Sequence, residues 1–346
     1  MSWPTAAAAA RVALSASALA GRLEHGLVPA VPVPHRADGA FDAAAQDRYA
    51  TWMAGQEVAG VATWVHTGRG LHLDFGTAAA VLASWRRAMP TGALVIAGAG
   101  ARPQQLAGLR GARPTPPADP LGLTKFVIER TVAMAKQARD LGADAILAFP
   151  PALLADLEDH ESRIVDVHAA LADLGLPVIV FWLYRAAGGC EYDAATVERL
   201  LALPGVAGIK VATLDSVTRF QAIAAQVPAD KLLISGEDRF LGYSLMMGAR
   251  CALVGLGAAL TGVSAALLAA HARRDHERFF RLSAACDRLG AAAFREPVDG
   301  YVRRMLWLLA AAGVIPREAA FDPWGPAVPD SELAAVDRVA RELAAA

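Results

Sequence analysis

The sequence predicts an α/β fold, a (β/α)8 TIM barrel followed by a C-terminal helical appendage, and three observations predict it. Short apolar runs alternate with amphipathic helical stretches from about residue 27 to about residue 257, the pattern of parallel strands joined by crossover helices. Eight strand–helix units of this rhythm suit a closed barrel better than an open sheet. No Gly-x-Gly-x-x-Gly follows the first strand, as a dinucleotide-binding sheet would require.

The predicted strands lie at 26–32, 60–65, 93–97, 145–149, 178–182, 206–210, 232–235 and 252–255, with helices at 42–54, 77–88, 124–141, 161–174, 194–203, 216–226 and 239–247 between them. The helix at 124–141 places Val127, Ile128, Val132 and Ala135 on one face, with charges opposite and Gly142 as its stop. Beyond the eighth strand the pattern is helical at 258–271, 275–289 and 296–312. A Pro-rich stretch at 323–329 and a last helix from Ser331 follow. The expected organisation is therefore an N-terminal extension over 1–25, a barrel over 26–257 and helices over 258–346. Residues 101–122 form a loop rich in Gly, Pro and Arg after the third strand. In a barrel it would overhang the mouth, as a lid or pocket wall or as a solvated excursion.

Hydrophobic residues make up 55% of the 346 and charged residues 19%, enough for a large core. A net charge of −1 with mixed signs gives no basic face for a nucleic acid. Cys190, Cys251 and Cys286 are scattered, which suits reduced thiols in a cytoplasm, the expected location. The Ala-rich start carries no basic residue before Arg11 and is broken by serines. It reads as a helix lying on the domain, and no window is apolar enough to span a bilayer. The histidines show no His-Glu-x-x-His spacing, so no metal site is expected, and catalysis by a lysine amine would call for no organic cofactor.

Of the 33 basic residues only Lys125, Lys136, Lys210 and Lys231 are lysines. A chain that uses arginine almost everywhere has a particular reason to keep a lysine in a buried place, because an amine deprotonates and attacks carbonyls and a guanidinium does not. Lys210 ends the apolar run Val206-Ala207-Gly208-Ile209. At a strand's C-terminal end it either points into a low-dielectric mouth as a nucleophile or snorkels to solvent.

The surrounding residues decide between these. Gly26-Leu27-Val28-Pro29-Ala30-Val31 with Asp38-Gly39-Ala40-Phe41-Asp42, then Gly142-Ala143-Asp144-Ala145-Ile146 with Pro150-Pro151, Pro177-Val178-Ile179-Val180, Gly208-Ile209-Lys210, Gly236-Glu237-Asp238 and Gly248-Ala249 follow one another in order. From about Gly26 to about Gly313 the chain resembles the dihydrodipicolinate synthase / N-acetylneuraminate lyase family, Schiff-base class I enzymes on (β/α)8 barrels. The resemblance implies that Lys210 forms the imine, that Thr67 and Gly68 hold a substrate carboxylate, and that the chain assembles as a homodimer or homotetramer.

Departures from the family pattern are as informative. His66 stands in Val65-His66-Thr67-Gly68-Arg69 where the family has the first threonine of Gly-Thr-Thr-Gly-Glu. Phe181-Trp182-Leu183-Tyr184 lacks the fifth-strand tyrosine of Tyr-Asn-x-Pro, and Ala152-Leu153 replace a Tyr-Tyr pair. The proton relay of a typical dihydrodipicolinate synthase is thus missing, which argues against that activity. His66 is the candidate acid/base, or it only hydrogen-bonds the carboxylate. Tyr184 either reaches the site or packs in its loop. Arg69 and Arg185 either grip a distal carboxylate or are surface charges. Phe181, Gly236 and Glu237 are further candidates for the substrate pocket; Asp238 either lines the mouth or caps the next helix. Gly255-Leu256-Gly257 is a tight turn or an anion cradle. The expected activity is a lyase or aldolase acting on a small 2-oxo acid of the pyruvate type. The alternatives are a dehydratase of a 2-oxo-3-deoxy sugar acid and a non-catalytic binding relative. Retention of Lys210 favours catalysis.

Overall fold

Apolar strand segments that alternate inward and outward, most of them followed by a helix opened by an acidic or hydroxyl cap, fold here as the sequence predicts, into a barrel. The computed structural model describes residues 14–101 and 116–344. Eight parallel strands, β1 (Leu27–Pro29), β2 (Gly60–Thr63), β3 (Leu94–Ala99), β4 (Ala145–Ala148), β5 (Val178–Leu183), β6 (Val206–Ala212), β7 (Leu232–Ser235) and β8 (Cys251–Val254), pair in the order β1-β8-β7-β6-β5-β4-β3-β2. Leu27 O accepts from Ala59 N at 2.9 Å and Ala62 O from Val31 N at 3.1 Å, so β1 also meets β2 and the ring closes.

One side-chain phase of the strands fills the interior: Val28, Leu94, Ile96, Leu147, Ile179, Phe181, Leu232, Ile234 and Leu253 pack as a single cluster. The other phase meets the surrounding helices, with Val178, Val180, Val206, Ile209 and Val211 on that side. The β5–β6 register slips by one residue between Val178 and Ile179. Beyond that slip Gly208, Lys210 and Ala212 share an alternate phase of β6, and Ala212 belongs to the interior cluster. Leu19 and Leu23 of helix Ala16–Leu23 join the same cluster, so this helix plugs the barrel.

Local capping sets several helix starts. Asp42, Asp74, Asp119, Asp193 and Ser216 each accept a backbone N–H three residues ahead. The Asp119 cap, followed by Pro120 in the first turn, starts helix Pro120–Asp140 four residues before the predicted 124. Most of the 101–122 loop falls at 102–115, outside the described residues, as does the start of the predicted N-terminal helix.

After β8 come helices Thr261–Ala272, His276–Ala293, Tyr301–Ala311 and Asp330–Ala344. Arg304, fully buried, ties them together. Its guanidinium donates to the carbonyls of Ala293 (2.9 Å), Arg295 (3.0 Å) and Pro297 (3.3 Å) and to Glu332 (2.8 Å). The loop before Tyr301 is thereby fixed over the barrel mouth. Among the described residues no helix is long and apolar enough to cross a membrane.

Candidate active site

Lys210 sits on β6 between Phe181 of β5 and Ile234 of β7 and is only 6% exposed. Its Nζ lies 4.1 Å from the centroid of the Phe181 ring, a cation–π contact that partly offsets lost hydration. Space for the side chain depends on Gly236, where a Cβ would come within 2.7 Å of Lys210 Cε and 2.8 Å of Val211 O. Lys210 opens into a cavity of about 380 Å³, whose lining includes His66, Thr67, Phe181, Tyr184, Glu237, Asp238, Gly255 and Tyr301.

Burial lowers the Lys210 pKa from its ordinary 10.5 to about 8, against the opposing pull of Asp238 and then Glu237. Burial likewise raises Asp238, while the Leu256 and Gly255 N–H groups and the Lys210 charge pull it down. Asp238 accepts from Leu256 N at 2.7 Å and Gly255 N at 3.2 Å. Of the two readings of Asp238, the structure has it lining the cavity: helix Leu241–Met246 has Phe240 at its N-cap with no side-chain bond, and Asp238 also anchors the turn after β8. Burial raises the Glu237 pKa to about 8, with the Thr213 N–H opposing. Glu237 accepts from Thr213 N at 2.5 Å and Leu214 N at 3.1 Å, holding the loop after β6.

These charges give a signed prediction. The Asp238 carboxylate raises the Lys210 pKa, so Asp238→Asn leaves burial less opposed and the amine deprotonates at lower pH. The rate of reductive methylation of Lys210 by formaldehyde, read by peptide mass against pH, should rise through a midpoint near 8 in the wild type and through a lower one in the variant. A midpoint that stays put or moves up means the two groups are not coupled.

Opposite the amine, the Tyr301 hydroxyl lies 2.9 Å from His66 Nδ1 and 3.0 Å from Thr67 Oγ1. The His66 and Tyr301 rings stack 5.9 Å apart and nearly parallel, and Phe294 backs Tyr301 at 4.5 Å. Burial, then the Arg69 charge, holds the His66 pKa well below its ordinary 6.5; Asp299 pulls the other way and Lys210 adds to the lowering. The imidazole is therefore neutral at pH 7 and has one nitrogen with a free lone pair. Burial also pushes the Tyr301 phenol far above its ordinary value, so it stays protonated. The Tyr301 hydrogen can point at Thr67 Oγ1 or at His66 Nδ1, and the second arrangement requires the tautomer that carries its proton on Nε2.

Arg69 needs a correction. Instead of waiting for a substrate carboxylate it is spent within the protein, on Asp322 at 2.7 Å and 3.2 Å and on the Asp299 side chain and carbonyl at 2.9 Å each. It ties the loop after β2 to the C-terminal appendage. Arg185 is exposed, bonds Asp156 at 3.3 Å and borders a second cavity away from Lys210. Gly68 lines neither cavity; its Cβ direction is blocked by Val31 O at 2.8 Å. Tyr184 borders the first cavity, its pKa raised to about 12 by burial and then by Asp299. Gly255 follows β8, in the turn that Asp238 anchors. Tyr301 was not singled out from the sequence. The signal available was weak: it is one of five tyrosines, in a helix that reads as ordinary amphipathic packing.

Among the described residues no three His, Cys, Asp or Glu side chains gather as a metal site. What the cavity concentrates is a buried amine of lowered pKa facing a hydroxyl, a phenol and a neutral imidazole, a set suited to carbonyl chemistry.

The comparisons with known proteins agree in fold and family. The chain is 24% identical over 238 residues to a probable mitochondrial 4-hydroxy-2-oxoglutarate aldolase of Emericella nidulans, covering 66% of this chain and 69% of that protein. It is 26% identical over 215 residues to a 4-hydroxy-tetrahydrodipicolinate synthase of Acidiphilium cryptum, with coverages of 62% and 64%. In structure it resembles the sialic acid aldolase of Ruminococcus gnavus (TM-score 0.73, 16% identity, 94% of this chain and 98% of that one). It also resembles dihydrodipicolinate synthase from Oceanobacillus iheyensis (TM-score 0.72, 16% identity, 96% and 100%). These likenesses show a shared barrel. The family model for the dihydrodipicolinate synthetase family matches residues 127–341, well over half of the sequence, and the chain belongs to that family.

Proposed function

We propose that this chain is a class I lyase in which Lys210 forms an imine with a 2-oxo acid of the pyruvate type, making or breaking the bond between C3 and C4 of a 4-hydroxy-2-oxo acid. The observation that carries the reading is the buried Lys210 amine, with its lowered pKa, opening onto a cavity that also presents the Tyr301–Thr67–His66 row.

The neutral amine attacks the C2 ketone, and water leaves to give the imine. Thr67 and the neighbouring backbone hold the substrate carboxylate. The protonated imine draws electrons from C3, so a proton leaves C3 in the synthetic direction or the C3–C4 bond breaks in the other. Tyr301 hands protons between the substrate and His66, taking the place of the phenol that β5 lacks. The Asp238 charge acts on the Lys210 ammonium and so helps to set the pH at which the amine is free to attack. Glu237 fixes the loop after β6 and so positions the mouth.

Borohydride trapping tests the imine directly. Reduction in the presence of pyruvate should leave a stable adduct on the peptide containing Lys210 and none on those containing Lys125, Lys136 or Lys231. Folded protein that yields no adduct with pyruvate or any other 2-oxo acid would move the non-catalytic reading to first place.

A further inference from the structure

A second cavity, of about 400 Å³, adjoins the first, and His66, Leu183, Ala186, Ala187 and Asp299 line both. Nothing in the chemistry at Lys210 uses it. We infer that it is the acceptor subsite, and that it takes the distal part of a substrate whose C4 substituent is an aryl or compact apolar group. The inference rests on the imine reading above and names the aldehyde partner for it.

The shared wall fixes the geometry. A 2-oxo acid joined to Lys210 extends from the first cavity, and the neutral imidazole of His66 stands where the two cavities meet. The carbon bearing the C4 oxygen lies at this junction, and whatever it carries enters the second space.

The lining then selects the chemistry. Leu71, Phe149, Pro150, Leu183 and Trp324 wall the cavity. The Trp324 ring is itself held edge-on by His35 at 5.0 Å and tilted against His72 at 5.4 Å. Ala152 borders this cavity only, and its small side chain leaves room that a tyrosine there would fill. Among the described residues the charges in the wall have partners: Arg69 is buried against Asp322 and Asp299, and Arg185 meets Asp156 at the exposed rim. A polyhydroxylated tail would lose water at each hydroxyl and find few free partners. A ring loses nothing of the kind, and a dry cavity of about 150 Å³ suffices for benzene.

The step balances as an aldol addition. Pyruvate, held as the imine, gives up a C3 proton to become the enamine. Its electron pair forms the C3–C4 bond to the aldehyde carbon, the aldehyde oxygen takes a proton to become the C4 hydroxyl, and water releases the product from Lys210.

Two measurements test this. The first compares benzaldehyde with glyceraldehyde as acceptors for pyruvate. Benzaldehyde should be favoured at least tenfold in kcat/KM, and Ala152→Phe should cut that preference at least tenfold through KM, with Ala152→Leu intermediate. Preference for glyceraldehyde, or an unchanged ratio in both variants, overturns the inference. The second is calorimetric binding of benzyl alcohol, which needs no imine. Binding that weakens at least tenfold in the Ala152 variants supports the apolar subsite even if no pyruvate adduct forms, in which case the imine reading alone fails. No binding to the folded wild type overturns the inference.

Discussion

Lys210→Met is expected to abolish lyase turnover while making the protein more stable. The amine is the proposed electrophile-forming group, and a thioether cannot make an imine. The gain in stability follows from the pKa. The unfolded lysine keeps its proton up to about 10.5 and the folded one releases it at about 8, so the folded state is penalised wherever the group is charged. A shift of this size corresponds to about 3 kcal/mol at pH 7, and a gain of about 1–3 kcal/mol is expected once methionine fills the same space. Between those pH values the unfolded chain binds more protons, so the wild type catches up with the variant as pH rises from 8 to 10.5. Urea midpoints at pH 7 and pH 10 check both parts. A variant less stable than wild type at pH 7 would contradict the buried-charge account.

Tyr301→Phe should lower kcat by about 10²–10⁴, the usual effect of removing a positioned proton carrier, with little change in the yield of trapped pyruvate imine. Phenylalanine keeps the stacking with His66 and Phe294 and removes only the hydroxyl that touches His66 and Thr67. A merely structural tyrosine would change neither kcat nor its pH dependence. The contrasting substitution is Tyr184→Phe. If the large loss falls there and Tyr301→Phe is nearly neutral, Tyr184 carries the proton and the row on the appendage is structural.

The barrel was legible because its information is local. Each strand is a short apolar run with a polar or glycine boundary, and the residues at which β2 through β8 occur fall within the predicted runs or a residue or two beyond them. Lys210 was legible for a different reason, its rarity among arginines. The rest of the site depends on contacts that no local pattern records. Arg69 meets Asp322 across 253 residues, and Tyr301 meets Thr67 across 234; neither pair leaves a spacing to read. The early start of helix Pro120–Asp140 was hidden because Asp119 stands in a Pro-rich stretch that reads as loop. For Asp238, an aspartate just ahead of a helical run, the sequence leaves lining the mouth and capping the helix open, and only the fold brings the turn after β8 within its reach.

Synthesis of the chain runs through Lys210 and the last barrel strand before it reaches Tyr301, Arg304 and Asp322. On a ribosome the barrel strands are complete while Tyr301, the phenol proposed to hand protons to His66, is still unmade or inside the exit tunnel. The amine of Lys210 is thus made before the phenol proposed to complete its chemistry. Docking of the last helices, fastened by Arg69 and Arg304, becomes the final step of maturation.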